Sequence, residues 1–243
     1  FSIIEILGVL YNKYLRYPGN NPNAASRDYL ILSKGHGVMA QYACMYELGW
    51  INDSNINQYF SNGSDLKGLS DSRIPGLEVT SGSLGHGFSV GVGIAVGLQR
   101  IGTDQKVYAL VGDGELNEGA IWEGAMFAAH HKTVNLMMIV DMNGFQAMGK
   151  TVDVISLGNL QLKLESFGFS AKSVDGHDEE AIELAIQQLW DSDKDKPKAL
   201  IAKTVKGKGV PFMEADNRWH YTRLNNETFA EAISALDIKQ KAP

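Results

Sequence analysis

A chain of 243 residues with 44% apolar content can bury a core of ordinary size, and it suits one domain, 1–243, better than two small ones. Its net charge of −6, with Lys and Arg scattered among acids, excludes a basic nucleic-acid surface, and no apolar run of about eighteen residues is present to span a membrane. The single Cys44 cannot form an internal disulfide, which fits a reducing, cytoplasmic setting. In chain order, apolar spacing predicts helices over 3–14 and 38–48, the second stopped by Gly49 and holding Cys44 as a small core residue. Glycines 82, 85, 87, 91, 93 and 97 follow. If the later ones are helical, each costs about 1 kcal/mol relative to alanine, so close packing against another backbone is expected there. Strands are predicted at 107–111, 136–140, 170–174 and 199–205, and helices at 118–130, 157–167 and 178–190. Residues 191–198 mix acids and lysines as a solvated loop does. The alternation implies an α/β fold with a parallel sheet covered by helices on both faces. Cofactor sites in such sheets lie beyond the carboxyl ends of the strands.

Two of those ends carry chemistry. The run 107–111 finishes in Gly112-Asp113-Gly114-Glu115, and the run 136–140 finishes in Asp141-Met142-Asn143-Gly144. One carboxylate and one amide oxygen are thereby delivered to the same edge. Such oxygens suit a hard cation like Mg²⁺, for which Ca²⁺ or Mn²⁺ can substitute and whose shell phosphate oxygens can complete. Asp113, Asn143 and the main-chain carbonyl of Phe145 would make such a half-shell. Gly112 and Gly114 let a backbone approach a diphosphate, and a helix beginning near Glu115 would aim its amides at it. Gly-Asp-Gly alone is also ordinary turn chemistry. What makes it specific is the Asn that follows, after 28 intervening residues, at the end of a second apolar strand.

That pair is the thiamine diphosphate motif, and the chain resembles the amino-terminal half of transketolases. The matching stretches are Leu32 to His36, Pro75 to Gly85, Gly112 to Gly119, Asp141 to Gly149, and Thr204 to Val210 with Trp219-His220. They run in family order over nearly the whole chain. The resemblance implies thiamine diphosphate and Mg²⁺ as cofactors, and the transfer of a two-carbon ketol unit from a donor ketone to an aldehyde or ketone acceptor. It places Gly82, Ser83 and Leu84 in a loop touching the cofactor, beside Gly112, Asp113, Gly114, Glu115, Asn143 and Phe145. It makes His36 and His220 catalytic histidines near the reacting carbons, with Lys34, Leu69 and His86 on the substrate side. Glu118, read as one helical turn beyond Gly114, would be a carboxylate in a proton path linking paired sites. The helix after Gly82 would lie near a subunit interface. His130, His131 and His177 match nothing in the family and read as surface or capping residues. The activating glutamate and the pyrimidine-binding domain belong to the family's carboxyl-terminal half. They are expected on a partner subunit, in a heterotetramer of paired heterodimers. A Gly-His-containing segment that precedes the first helix in the family is also absent from these residues.

Two departures bear on the donor. Gly68-Leu69-Ser70 stands where many transketolases have Gly-His-Pro, and His86 stands where glutamine is common. Leucine cannot hydrogen-bond a donor's terminal hydroxyl, so acetyl transfer from pyruvate or another 2-oxo acid is a second reading. A non-catalytic, partner-binding paralogue is a third. Against it, Asp113, Asn143, His36 and His220 are all present.

Overall fold

The computed structural model describes residues 1–240. Its strands are β1 (Tyr29–Leu32), β2 (Val107–Gly112), β3 (Leu136–Met142), β4 (Phe145–Gln146), β5 (Gly149–Lys150), β6 (Ser170–Asp175) and β7 (Lys198–Lys203). Five form one parallel sheet in the order β1-β2-β3-β7-β6, and β4 and β5 pair as a separate antiparallel hairpin. The helices are α1 (Ile4–Val9), α2 (Val38–Glu47), α3 (Asp53–Asn57), α4 (His86–Ile101), α5 (Gly119–His130), α6 (Thr151–Val154), α7 (Leu160–Ser166), α8 (Glu179–Asp191) and α9 (Asn226–Gln240).

β2 is buried along its whole length and β3 along all but its last residue, as continuous apolar runs require when helices cover both faces. Alternate residues serve the two sides. Tyr108, Leu110, Met137, Ile139 and Leu200 pack with Ile6, Leu7, Tyr42, Met45, Ile182 and Ile186, which belong to α1, α2 and α8. Val107, Ala109, Val111, Met138, Val140 and Ile201 pack with Phe88, Val92, Ile121, Ala125, Leu160 and Leu164, from α4, α5 and α7. The chain lays down β1, β2 and β3 in one direction, jumps to β6 at the far edge, and returns to β7. Because parallel crossovers are right-handed, this reversal sends α8 to the face opposite α5. The reversal lies between β3 and β7, where the carboxyl ends of an open sheet leave a crevice. Registers pairing Leu32 with Leu110, Gly112 with Asp141, and Met142 with Lys203 bring the segments after β1, β2, β3 and β7 out at one edge.

The expected α/β class is what the chain adopts, with local differences. The helix expected over 3–14 is α1 followed by a π-helical stretch, Leu10–Tyr14. Lys198 is buried at the start of β7, its ammonium donating to the Asp193 carbonyl, and Pro197 is buried beside it, so the solvated loop ends at Lys196. The glycines of α4 divide by face. A Cβ on Gly87 would lie 2.6 Å from Ser33 Cα, so this position needs glycine for close approach to the end of β1, whereas Gly93 and Gly97 face open space. Close packing within the chain therefore accounts for Gly87, Gly91 rests at ordinary contact distance on β1 and β2 side chains, and Gly93 and Gly97 meet no neighbour among the described residues. Cys44 is half-buried against the core, and burial pushes its thiol up to about 11.

Candidate active site

The sheet edge is organised by Asp141, a residue to which sequence alone assigns no role. Its side chain is fully buried at the end of β3 and takes bonds from four directions. Ser2 Oγ donates to Oδ2 at 2.8 Å and Asn143 Nδ2 donates to Oδ2 at 2.9 Å. The Lys34 ammonium also donates to Oδ2, and Thr204 Oγ1 donates to Oδ1. Burial alone would raise this carboxyl, but the Lys34 charge and the donors from Lys34, Thr204 and Ser2 outweigh it and hold the group at about 2. One carboxylate thus fixes the segments after β1, β3 and β7 to the start of the chain.

Asp113 lies beside it, its amide bonded to the Asp141 carbonyl at 3.1 Å. Asp113 as a whole is 2% exposed. Oδ1 accepts from Gly114 N at 2.8 Å, and Oδ2 accepts from Gly144 N at 2.7 Å and Thr151 Oγ1 at 3.1 Å. Burial raises its pKa, partly opposed by the Gly144 and Gly114 amides. Asn143 is oriented by its two bonds: the amide nitrogen is used on Asp141, and Oδ1 accepts from Phe145 N at 3.0 Å. An oxygen is therefore what Asn143 has to offer a cation.

This donor set fits a hard cation held with help from its ligand. Among the described residues no group of three His, Cys, Asp or Glu side chains is placed to hold a metal. A cation at Asp113 and Asn143 would need further oxygens from outside, which phosphates supply to Mg²⁺. The cradle also has an unused donor. Gln146, on the β4–β5 hairpin, packs so closely on Gly114 that a Cβ there would come within 2.5 Å of Gln146 Cβ, and its buried Nε2 has no partner among the described residues. Buried polar atoms in folded proteins are paired, and a diphosphate oxygen would pair this one.

The turn after Asp113 differs from expectation. Gly114–Asn117 is a 3-10 turn, Glu118 is extended, and α5 begins only at Gly119. No helix N-terminus therefore points from Glu115. Its carboxylate turns inward and is buried, accepting from Ser33 Oγ at 2.5 Å, Gly85 N at 2.8 Å and Gly112 N at 3.1 Å. Glu115 ties the end of β1 and the start of α4 to the Gly112–Gly114 loop instead of reaching outward. Glu118 is exposed at the N-cap of α5 and not one helical turn in, because the 3-10 turn ends before it; its Cβ lies 2.9 Å from where a Gly85 Cβ would be.

On the other side of the cradle, His36 sits in a 3-10 turn, Gly35–Gly37, that enters α2, and His220 closes a second such turn, Asn217–His220. Their ring centroids are 5.7 Å apart. Partial burial, the Lys34 charge and then His220 and Lys206 lower His36 to about 4; burial, Lys206 and Lys34 lower His220. Both imidazoles are neutral at neutral pH. Lys206 Nζ stands 3.2 Å from His220 Nδ1. Gly82, Ser83 and Leu84 precede α4 in a loop pinned by Ser81 Oγ, which donates to the Leu32 carbonyl at 2.7 Å. Leu69 lies against this loop, its Cδ1 3.0 Å from where a Gly82 Cβ would be, and it is 48% exposed. His86 is exposed at the first position of α4. The structure thus gathers Lys34, His36, Asp113, Asn143 and His220 at one edge, with Leu69 on the Gly82 loop and Glu118 against the glycine that follows it. His177 is not a surface residue: its Nε2 accepts from Val205 N at 2.8 Å and its Nδ1 lies 3.1 Å from Glu5 Oε1. Sequence reasoning missed Asp141, Thr204, Lys206, Gln146 and Thr151. The readable signal was their place within or just after the motif stretches, at strand ends of the same edge.

A parallel α/β sheet whose carboxyl edge carries an oxygen-lined cradle and two histidines has the arrangement of a cofactor-binding enzyme domain. The thiamine diphosphate binding domain of transketolase matches residues 1–243. One relative, from Phocaeicola vulgatus and named as a subunit of apulose-4-phosphate transketolase, is 37% identical over 232 residues, covering 96% of this chain and 82% of that protein. The 6-deoxy-6-sulfo-D-fructose transketolase subunit SqwG of a Clostridium species is 35% identical over 237 residues, covering 97% and 86%. Transketolase from Campylobacter jejuni superposes with a TM-score of 0.87 at 28% identity, over 97% of this chain but 38% of that one. The chain belongs to the transketolase family, as its thiamine diphosphate-binding, amino-terminal part.

Proposed function

We propose that this chain is the diphosphate-binding component of a two-chain transketolase, moving a two-carbon ketol unit from a donor ketone to an aldehyde or ketone acceptor. The observation that carries this reading is the placement of the Asp113 carboxylate and the Asn143 amide oxygen just beyond the ends of adjacent parallel strands, beside the unpartnered Gln146 amide. Asp113, Asn143 and the Phe145 carbonyl hold Mg²⁺, and Gln146 donates to the diphosphate. When bound, thiamine diphosphate supplies the carbon nucleophile and electron sink that ketol transfer requires. His36 and His220, kept neutral, orient the donor and hold or move a proton at its carbonyl and hydroxyl oxygens. A second chain supplies the pyrimidine-binding domain and activating glutamate, in an assembly of paired heterodimers. The relatives named for a ketose phosphate and a sulfo-sugar support a donor with an anionic end. No described helix is long and apolar enough to cross a membrane, and the lone cysteine fits a cytoplasmic assembly.

Calorimetric titration tests the cofactor half directly. The isolated chain should bind thiamine diphosphate and inorganic diphosphate weakly and only with Mg²⁺, and thiamine not at all. Metal-independent binding, or equal binding of thiamine, would refute the assignment of the cradle.

Leu69 bears on the donor. Beside the Gly82 loop it offers no partner to a terminal hydroxyl, and a lost hydrogen bond costs about 0.5 to 1.5 kcal/mol. In the complex, Leu69→His should therefore improve hydroxypyruvate over pyruvate by roughly two- to tenfold, read as a ratio of kcat/KM values. An unchanged ratio would mean that another group serves that hydroxyl.

A further inference from the structure

Lys206 follows β7, and among the described residues its side chain makes one hydrogen bond, to His220 Nδ1 at 3.2 Å. An ammonium has three donors and no acceptor, so Nδ1 must accept. A neutral imidazole carries one N–H, and that proton is then on Nε2. Nε2 has no protein partner among the described residues, and the His36 ring stands 5.7 Å away, centroid to centroid. The charged groups acting on this ring come from two segments, Lys34 after β1 and Lys206 after β7, and both disfavour a second proton. The Tyr221 ring lies 5.0 Å from it, centroid to centroid. Lys206 is itself set by burial and by Lys34, which disfavour its charge, and by Asp141 and Asp113, which favour it.

We infer that Lys206 is a positioning residue for His220, holding its imidazole as the tautomer that presents Nε2–H to the oxygen of the substrate carbonyl. The inference rests on the functional reading above for what His220 faces, and on geometry alone for the tautomer. Polarity matters here. A hydrogen-bond donor aimed at a carbonyl oxygen stabilises the negative charge that develops there, whereas a bare Nε2 would repel it. A neutral Lys206 amine accepting from Nδ1–H would produce that wrong polarity.

Nitrogen-15 NMR of the full chain, with His220 assigned by the loss of its signals in His220→Gln, reads the tautomer without turnover. The native chain at neutral pH should show a protonated Nε2 and an unprotonated, hydrogen-bonded Nδ1. Lys206→Glu, which replaces the donor with an acceptor, should move the proton to Nδ1, and Lys206→Arg should restore the native pattern. In the complex with its partner, Lys206→Met should lower kcat about tenfold or more with the donor KM nearly unchanged, and Lys206→Arg should recover most of it. A native His220 with its proton on Nδ1 would overturn the inference. So would a Lys206→Met variant whose ring shifts and kcat both match the native protein. The spectra need no catalysis, so the tautomer stands or falls whatever the complex transfers.

Discussion

Asp113→Ala is expected to abolish cation-dependent thiamine diphosphate binding. Asp113 is the one carboxylate in a half-shell otherwise made of an amide and a main-chain carbonyl, and residues that merely orient metal ligands already cost about 10- to 100-fold when lost. The loss should therefore exceed about 100-fold in affinity. The folded chain should survive, because burial already disfavours the ionised carboxyl where it stands. Removing it does strand the Gly144 amide and the Thr151 hydroxyl, so Asp113→Asn serves as the near-isosteric control. Asn143→Ala should weaken binding strongly for the same reason. His36→Ala and His220→Ala should instead lower turnover and leave cofactor affinity almost intact. Calorimetry in the presence of Mg²⁺ checks all four, and equal loss of affinity across them would show that the two sets of roles are not separate.

Asp141→Ala should be the most destabilising single change at this edge. It leaves the Lys34 ammonium buried without its partner, together with the Ser2, Asn143 and Thr204 donors. Breaking a buried ion pair on one side costs about 3 to 5 kcal/mol. For a domain of this size, each kcal/mol moves the melting temperature by roughly 2 to 4 °C, so the variant should melt roughly 10 °C lower. Replacing both partners, as in Lys34→Met with Asp141→Leu, should recover much of the loss, since a buried pair is often matched by apolar residues of similar volume. The pH dependence has a fixed sign. Asp141 is held at about 2 in the folded chain, below the ordinary carboxylate value near 3.9. Its contribution is thus complete above about pH 4 and is lost as the pH falls toward 2. Denaturant unfolding across that range checks this, and a native chain no less stable at pH 2.5 than at pH 6 would contradict it.

The architecture was legible because its signals are local and redundant. β2 and β3 are buried on both faces and so read as unbroken apolar runs, and Asp178 announces α8 by capping it, its carboxylate accepting from Ala181 N at 3.0 Å. The Asp113 and Asn143 positions were legible for the same reason, as each ends such a run. What escaped was set by tertiary contact. Nothing in the local pattern says that the chain after Asp113 makes a 3-10 turn, because that turn serves to bury Glu115 against Ser33 and Gly85, residues distant in sequence. Asp141 ends the same apolar run as Asn143, and nothing in that run marks its carboxylate as the group the edge is built on. Its importance comes from Lys34, Thr204 and Ser2, which meet it only when four parts of the chain converge. Lys206 could be placed at a strand end, but its distance to His220 depends on how the 217–220 turn folds back over the sheet edge.

Ketol transfer measured with three preparations separates a two-chain enzyme from its alternatives: this chain alone, a chain carrying the pyrimidine-binding domain alone, and the two mixed. With Mg²⁺, thiamine diphosphate, a ketose phosphate donor and an aldehyde acceptor, the mixture should turn over and each chain alone should not. Asp113→Ala should silence the mixture. Full activity from this chain by itself, or activity of the mixture that survives Asp113→Ala, would contradict both the division of labour between the chains and the role of the Asp113 cradle.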